Sequence, residues 1–382
     1  MTVPPTRRRR LRTWEPSLDG QGLHPVIDSV AGPALVDLAS NDYLGLSHHP
    51  ALIAAAEVEL QRSGVGAGGS RLVTGSRPVH DRLESALASW LQRDRVFLFP
   101  SGFQANLAAV LTLANRHTTV LVDRMIHHSL LVGVQASGAR LKRFAHNDLS
   151  ALHHLLLRCR SQRPDAPLMV ISESLFSMEG TSPDVPALAA LCRNFSASLL
   201  LDEAHALGVL GVEGRGLGLG VEDITMISGT FGKAFGSGGA FIACGREQAD
   251  VLLQTSGAFR YTTALAPPLA AAALEGLNLL KANPCWGADL VKRSSRWRDR
   301  LEAQGWSRPA GLGPILPLLV GGDQPTLDLQ QRLEAAGVLT VAIRPPTVPE
   351  GTARLRLVLH HRQSDGDLQA LEKALGHGEL RP

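Results

Sequence analysis

The sequence predicts an α/β protein: a large domain with a mainly parallel sheet flanked by helices, plus a smaller C-terminal α+β domain. Three observations carry this. From about Val96 onward, short apolar runs alternate with longer segments of helical period, the pattern of βαβ units. After Pro267-Pro268 that alternation gives way to one long helical stretch and apolar runs of different spacing. At 382 residues the chain is also long for one compact unit, so two lobes are expected.

Taken in order, the segment before Asn41 reads as an arm, and the expected divisions are 1–45 for the arm, 46–270 for the large domain and 271–382 for the small one. Strands are expected at 96–99, 119–122, 168–172, 198–201, 224–228 and 240–243, each a short apolar run. Helices are expected at 104–115, 149–160 and 185–194, the last opened by Ser182-Pro183-Asp184, a capping sequence. A helix over 269–281 then leads into the apolar runs 314–320 and 354–359 of the smaller lobe. No internal repeat or low-complexity tract interrupts the pattern.

Composition narrows the function classes. A net charge of +3 is too small to imply nucleic acid, and the run Arg7-Arg8-Arg9-Arg10 with Arg12 reads as a solvated arm. The four cysteines, Cys159, Cys192, Cys244 and Cys285, show no Cys-x-x-Cys spacing, which argues against a metal site and a disulfide framework and favours a reducing cytoplasm. The best membrane candidate, 265–280, carries Pro267-Pro268 and Glu275, so no membrane association is expected. No apolar segment follows the N-terminal arginines as a secretory signal would require.

In a parallel sheet, ligands collect beyond the carboxyl ends of the strands, so the polar residues there matter most: Ser101-Gly102, Asp123, Glu173, Asp202 and Thr230. Lys233, in Ser228-Gly229-Thr230-Phe231-Gly232-Lys233, and Asp202, closing Leu199-Leu200-Leu201-Asp202, suggest pyridoxal phosphate. That cofactor needs an amine to hold its aldehyde and a carboxylate to keep its ring nitrogen protonated. Ser101-Gly102-Phe103 opens a helix after a strand, which is either an ordinary serine cap or a phosphate site. His127 and His128 follow the next strand, and either imidazole would be placed to lie on a cofactor ring. His205, three residues past Asp202, and Ser177 would also fall in the crevice.

These residues resemble the α-oxoamine synthases, fold type I pyridoxal-phosphate-dependent transferases, over nearly the whole chain from Asn41 to about Leu359. The likeness rests on Asn41-Asp42-Tyr43-Leu44-Gly45-Leu46, Gly66-Ala67-Gly68-Gly69-Ser70-Arg71, His80-Asp81-Arg82-Leu83-Glu84, Ser101-Gly102-Phe103, Asp202-Glu203-Ala204-His205 and Thr230-Phe231-Gly232-Lys233. It implies that Lys233 binds the cofactor covalently, that Asp202 pairs with its ring nitrogen, and that His205 and Ser177 contact its ring hydroxyl. His127, rather than His128, would stack on the ring, and Gly102, Phe103 and Thr230 would hold the phosphate. Lys233, His127 and Asp202 would form the catalytic set. The family's active site lies between two subunits, which implies a homodimer in which Thr263 reaches the neighbouring subunit's phosphate.

Ala342-Ile343-Arg344-Pro345-Pro346-Thr347-Val348-Pro349, the following Gly351-Thr352-Ala353-Arg354-Leu355-Arg356, and Phe144-Ala145-His146-Asn147-Asp148 resemble the branch acting in biotin biosynthesis. That branch joins L-alanine to a pimeloyl thioester, carried on coenzyme A or on acyl carrier protein. Ser70 stands where glycine-using members have threonine and would leave room for the alanine methyl, a difference worth about 1–3 kcal/mol. By the same resemblance Arg356 would grip the amino acid carboxylate, Asn41 would orient it, and Thr347 would lie near the acyl chain. Arg12 is the expected partner of the distal pimeloyl carboxylate. The rival within the family joins glycine to acetyl-CoA.

Overall fold

The structure, a computed structural model, describes residues 4–17 and 22–376. Residues 1–3 and 18–21 of the expected arm and 377–382 of the expected small domain lie outside the described residues. The chain packs as two compact units, one of residues Met1–His48, Ser177–Thr181 and Trp286–Pro382, the other of His49–Phe176 and Ser182–Cys285.

The first unit begins with β1 (Thr13–Pro16), β2 (Gly22–Ile27), β3 (Val30–Ala31) and β4 (Leu35–Asp37), so the N-terminal segment is itself a small antiparallel sheet. In the second unit, α1 (Pro50–Ser63) and α2 (Pro78–Leu91) precede β5 (Arg95–Phe99), α3 (Gly102–Leu113), β6 (Thr119–Asp123), α4 (His128–Ser137), β7 (Arg140–Phe144) and α5 (Leu149–Gln162). There follow β8 (Leu168–Glu173), α6 (Val185–Asn194), β9 (Ala197–Asp202), β10 (Met226–Thr230), β11 (Ala240–Cys244), α7 (Arg246–Thr255), α8 (Gly257–Arg260) and α9 (Pro267–Ala282).

Their seven strands form one sheet in the order β5-β11-β10-β9-β8-β6-β7. All run parallel except β11, which is antiparallel to both neighbours. The carboxyl ends of β5, β6, β8, β9 and β10 therefore share one edge, as the βαβ alternation predicts. Apolar side chains on the strands, among them Phe99, Val122, Ile171 and Leu200, pack with Ala105, Ala108, Ala109 and Val110 of α3 in a continuous core. The alanines let α3 lie close to the sheet. Truncating a filled core position such as Phe99 to alanine would cost about 3–5 kcal/mol.

The caps match their sequence signals. Asp184 accepts the Ala187 N–H at 3.0 Å to start α6, and Asp148 accepts that of Ala151 at 2.8 Å to start α5. Pro267 occupies the first turn of α9, where its missing N–H costs nothing.

In the large sheet, two strands differ from expectation by more than one residue at an end, for physical reasons. The predicted strand 224–228 is Met226–Thr230, because the Thr225 hydroxyl takes the Leu199 N–H at 2.9 Å and the ladder with β9 begins only at Met226. Apolarity stops at Ile227, whereas the ladder runs on through Gly229 and Thr230. The unpredicted β7 is the sheet's outer strand, reading Arg-Leu-Lys-Arg-Phe, mostly exposed. Charges are what an edge strand carries to prevent further pairing, and they hide it from a hydrophobicity pattern.

The first unit resumes with α10 (Trp286–Ala303), β12 (Ile315–Gly321), α11 (Asp323–Ala335), β13 (Val338–Leu339), β14 (Val341–Ile343), β15 (Ala353–Val358) and α12 (Asp365–Leu375). Strands β12, β15 and β14 form an antiparallel sheet against which α10 and α11 pack, and β13 joins β4 in parallel. The chain thus returns to its own N-terminal sheet about 300 residues later. This unit is α+β, and it combines the N-terminal segment with the chain from Trp286 onward.

Candidate functional site

Five of the six parallel strands of the large sheet, all but the outer β7, lead to a polar residue at the shared edge. Beyond β5, Ser101 caps α3 by accepting the Gln104 N–H at 3.3 Å, leaving the N–H groups of Gly102 and Phe103 in the unbonded first turn. Past β6, His127 caps α4, its Nδ1 accepting the Ser129 N–H at 3.3 Å. Glu173 ends β8, Asp202 ends β9 and Thr230 ends β10, and Lys233 lies three residues further on. Gly102, Phe103, Asn106, His127, Ser129, Glu173, Asp202, Ala204, His205, Thr230 and Lys233 line one cavity of about 230 Å³.

Hydrogen bonds fix this cavity's floor. Asp202 is buried; its Oδ1 accepts the Ala204 N–H at 2.9 Å and its Oδ2 accepts from Asn106 Nδ2 at 2.8 Å. The second Asn106 amide hydrogen goes to Ser129 Oγ at 3.0 Å, and Ser129 Oγ is 2.8 Å from His127 Nδ1. Buried Glu173 accepts the His127 N–H at 2.6 Å. Thr230 Oγ1 donates to Gly239 O at 3.0 Å and accepts the Gly232 N–H at 3.2 Å, shaping the turn that presents Lys233. Desolvation by the cavity wall lowers the His127 pKa, opposed by Asp202 and assisted by Lys233 and His128. The ring is therefore neutral near pH 7, although its outer face is open to solvent.

Glu203, next to Asp202, is turned away from this cavity. Its carboxylate accepts from Ser174 Oγ at 2.7 Å, from the Gly218 N–H at 2.6 Å and from the Leu217 N–H at 3.2 Å, and burial pushes its pKa up to about 6. It ties the 206–218 loop to the sheet edge. Asp123, also at a strand end, serves structure too: fully buried, it accepts from the N–H groups of Met125 and Asn147 and pairs with His146 Nδ1 at 2.9 Å.

Ser70 and Thr263 line a different cavity of this unit, about 440 Å³, with Leu72, Val73, Arg260, Tyr261 and Thr262. Leu72, Val73 and Tyr261 are largely exposed. A larger cavity, about 770 Å³, lies at the opposite edge of the sheet, where β5 and β10 begin and Arg93 donates to the carbonyls of Val221 and Ile224. No strand carboxyl end of the parallel set reaches it.

The other expected site residues belong to the first unit. Arg356, buried on β15, donates to Asn41 Oδ1 at 2.8 Å and to the Ser177 carbonyl at 2.6 Å, so Arg356, Asn41 and Ser177 form one cluster. Buried Tyr43 joins it, its hydroxyl 3.4 Å from Asn41 Oδ1 and its pKa pushed up to about 12 by desolvation. Thr347 Oγ1 accepts from Arg9 Nη2 at 2.9 Å. Arg12 pairs with Glu334 at 2.6 Å and stacks on Trp14, 4.4 Å from the ring centroid. Arg7 is held by Asp323 and Glu350, so Arg7, Arg9 and Arg12 each bond to residues of their own unit, while Arg8 and Arg10 are exposed.

Sequence reasoning assigned no role to Asn106 or Ser129. The signal was present for Asn106, which stands four residues after Gly102 and so on the same face of α3. Ser129 carried none, because a serine in the first turn of a helix is ordinary.

Among the described residues no three His, Cys, Asp or Glu side chains are grouped to hold a metal ion, and no helix is long and apolar enough to cross a membrane. The model of the family "Aminotransferase class I and II" matches residues 33–372. An 8-amino-7-oxononanoate synthase of Gluconacetobacter diazotrophicus is 42% identical over 386 aligned positions, covering 98% of this chain and 96% of its own. Another, of Pseudomonas aeruginosa, is 40% identical over 363, covering 92% and 89%. Among solved structures, serine palmitoyltransferase of Sphingomonas wittichii superposes with a TM-score of 0.89 at 28% identity, covering 95% of this chain and 92% of its own. The 8-amino-7-oxononanoate synthase of Francisella tularensis gives a TM-score of 0.76 at 28% identity, covering 89% and 96%. A parallel sheet with a lysine, an aspartate and a histidine at its carboxyl edge, and relatives of this identity along the whole chain, lead to one assignment: the protein belongs to the aminotransferase class I and II family, with the fold of the type I pyridoxal-phosphate-dependent enzymes.

Proposed function

We propose that this protein is a pyridoxal-phosphate-dependent acyltransferase that condenses L-alanine with a pimeloyl thioester, releasing CO2 and the thiol carrier and forming 8-amino-7-oxononanoate for biotin biosynthesis. The observation that carries the reading is the convergence of Lys233, Asp202 and His127 on one cavity in a chain about 40% identical to curated synthases of that name. The cavity suits the cofactor's chemistry. It has an amine, a buried carboxylate, a helix N-terminus with two unbonded N–H groups, and Asn106 Oδ1, a buried acceptor without a protein partner among the described residues. An added Cβ at Gly102 would meet only Thr230, at 3.9 Å, so the helix start is open to a phosphate.

When bound, pyridoxal phosphate supplies an electron sink for the carbanion generated at alanine's α-carbon. The roles of the chain's own residues are those that the family resemblance implies. Lys233 anchors the cofactor covalently and, once freed, moves the α-proton. Asp202 holds a proton on the ring nitrogen, and His205 and Ser177 hydrogen-bond the ring hydroxyl. The His127 ring covers one face. Gly102, Phe103 and Thr230 hold the phosphate. Arg356, steadied by Asn41, offers the fork that matches a carboxylate. Thr347 lies near the acyl substrate and Arg12 meets its distal carboxylate; Arg9 contacts Thr347, and Arg12 is paired with Glu334.

A homodimer is part of the reading. Ser70 and Thr263 sit beside exposed Leu72, Val73 and Tyr261, a surface suited to cover by a second copy. Free thiols at Cys159, Cys192, Cys244 and Cys285 agree with the cytoplasm.

The test is a panel of alanine, glycine and serine against acetyl-, succinyl-, pimeloyl- and palmitoyl-CoA and pimeloyl carrier protein, read by product mass. Alanine with a pimeloyl donor is expected to give the product. Turnover restricted to glycine with acetyl-CoA, or to serine with palmitoyl-CoA, would overturn the substrate assignment, and a colourless protein that borohydride does not change would overturn the cofactor.

A further inference from the structure

We infer that Asn106 and Ser129 are positioning residues that link Asp202 to His127 and fix His127 as the neutral imidazole with its one proton on Nε2. The inference rests on the proposed use of the cavity, but its geometry is independent of any ligand.

The donor directions settle one another. Asn106 Nδ2 lies 2.8 Å from Asp202 Oδ2 and 3.0 Å from Ser129 Oγ. Both partners accept, so the amide nitrogen faces them and each receives one of its two hydrogens. Ser129 Oγ has thereby used a lone pair on Asn106, and its own hydrogen is left for His127 Nδ1, 2.8 Å away. The Ser129 backbone N–H also points at Nδ1, from 3.3 Å. A backbone N–H has no tautomer and donates only. Nδ1 must therefore be unprotonated, and the ring's single proton sits on Nε2.

A stacked ring held this way is an uncharged donor. Its Nε2–H can be offered to a substrate carboxylate or to an acyl oxygen without placing a second cation next to Lys233. The groups around the ring are Asp202 at the end of β9, Glu173 at the end of β8, Lys233 and His205 in the same cavity, and His128 on its own helix. Asn106 and Ser129 are themselves nearly or fully buried, so water does not substitute for them freely. Neither touches the reacting atoms in this scheme. They act through Asp202 and His127.

The experiment uses full-length protein labelled with nitrogen-15 histidine and stripped of cofactor. Of the 14 histidines, His127 is assigned by the resonances missing from His127→Gln. Long-range proton–nitrogen spectra are expected to show an unprotonated Nδ1 and a protonated Nε2, persisting below the pH at which an ordinary histidine titrates, near 6.5. In Ser129→Ala and Asn106→Ala the signal should become a mixture of tautomers and the titration should move up. In the loaded enzyme, kcat should fall about 10–100-fold, more than the KM for alanine rises, and the acid limb of the kcat profile should move up with it. A purely structural role would lower stability and leave the tautomer unchanged, which overturns the inference, as does a protonated Nδ1 in the unaltered protein. Thermal melting checks folding; if Asn106→Ala does not fold, Ser129→Ala, which removes one hydroxyl, decides alone. The spectra need neither cofactor nor substrate, so failure of the proposed reaction leaves this test standing.

Discussion

The Arg356 guanidinium donates to the Asn41 side-chain carbonyl at 2.8 Å, joining residues 315 positions apart, while its Nε holds the Ser177 carbonyl at 2.6 Å. Two protein acceptors thus aim one buried fork. Arg356→Lys keeps the charge but loses the planar pair of donors. It should raise the KM for alanine by about 10–100-fold with a smaller loss of kcat, checked by steady-state kinetics with the acyl donor saturating. An unchanged KM would remove Arg356 from amino acid recognition. Arg356→Ala is the poorer probe, because orphaned buried acceptors cost about 1–3 kcal/mol of stability each.

Lys233 lies on the turn shaped by Thr230, at the rim of the cavity floored by Asp202. Lys233→Ala should lose the borohydride-sensitive colour and release pyridoxal phosphate on dialysis. Turnover should fall by at least about 10²–10⁴-fold, the share of proton transfer alone. Product formation at the original rate would place the amine elsewhere.

Buried Glu203 gives a pH signature. Its pKa in the folded protein is raised by burial from the ordinary 4.5 to about 6, so folding favours its protonated form. The stabilisation is complete below about pH 4.5 and is lost as pH rises through about 6, a change of about 2 kcal/mol. Glu203→Gln removes this dependence. The melting-temperature advantage of the unaltered protein over the variant should therefore grow by roughly 4–8 °C between about pH 8 and pH 4. A constant difference across that range would show that Glu203 titrates normally.

The loop that Glu203 anchors also depends on close backbone approach. At Gly211, φ is +80° and an added Cβ would stand 2.0 Å from the Gly216 carbonyl oxygen, whereas at Gly220, with φ +74°, it would meet nothing within 4 Å. Both alanine variants pay for left-handed backbone, about 1 kcal/mol. Gly211→Ala should lose clearly more, with a melting temperature several degrees below that of Gly220→Ala. Equal melting temperatures would show that the loop moves aside freely.

The large sheet was legible because six of its strands are short apolar runs and its helices carry ordinary caps. β7 was not, because an edge strand trades hydrophobic residues for charge. Likewise Lys233, Asp202 and His127 announced themselves by chemical type after a strand, while Asn106 and Ser129 have side chains found anywhere. Their importance lies in distances of 2.8 and 3.0 Å between a helix, a strand end and a second helix start.

By itself the sequence determined the α/β pattern, the order in which polar residues follow the strands, and the residue types that pyridoxal chemistry needs. Those are local properties of apolar period and side-chain chemistry. Only the tertiary structure decided which strand ends share an edge, that Asn41 and Ser177 meet at Arg356, that Arg9 touches Thr347, and that Asn106 and Ser129 stand between Asp202 and His127. Each depends on contacts between residues distant in the chain or on the direction of a donor, and neither leaves a trace in the order of residues.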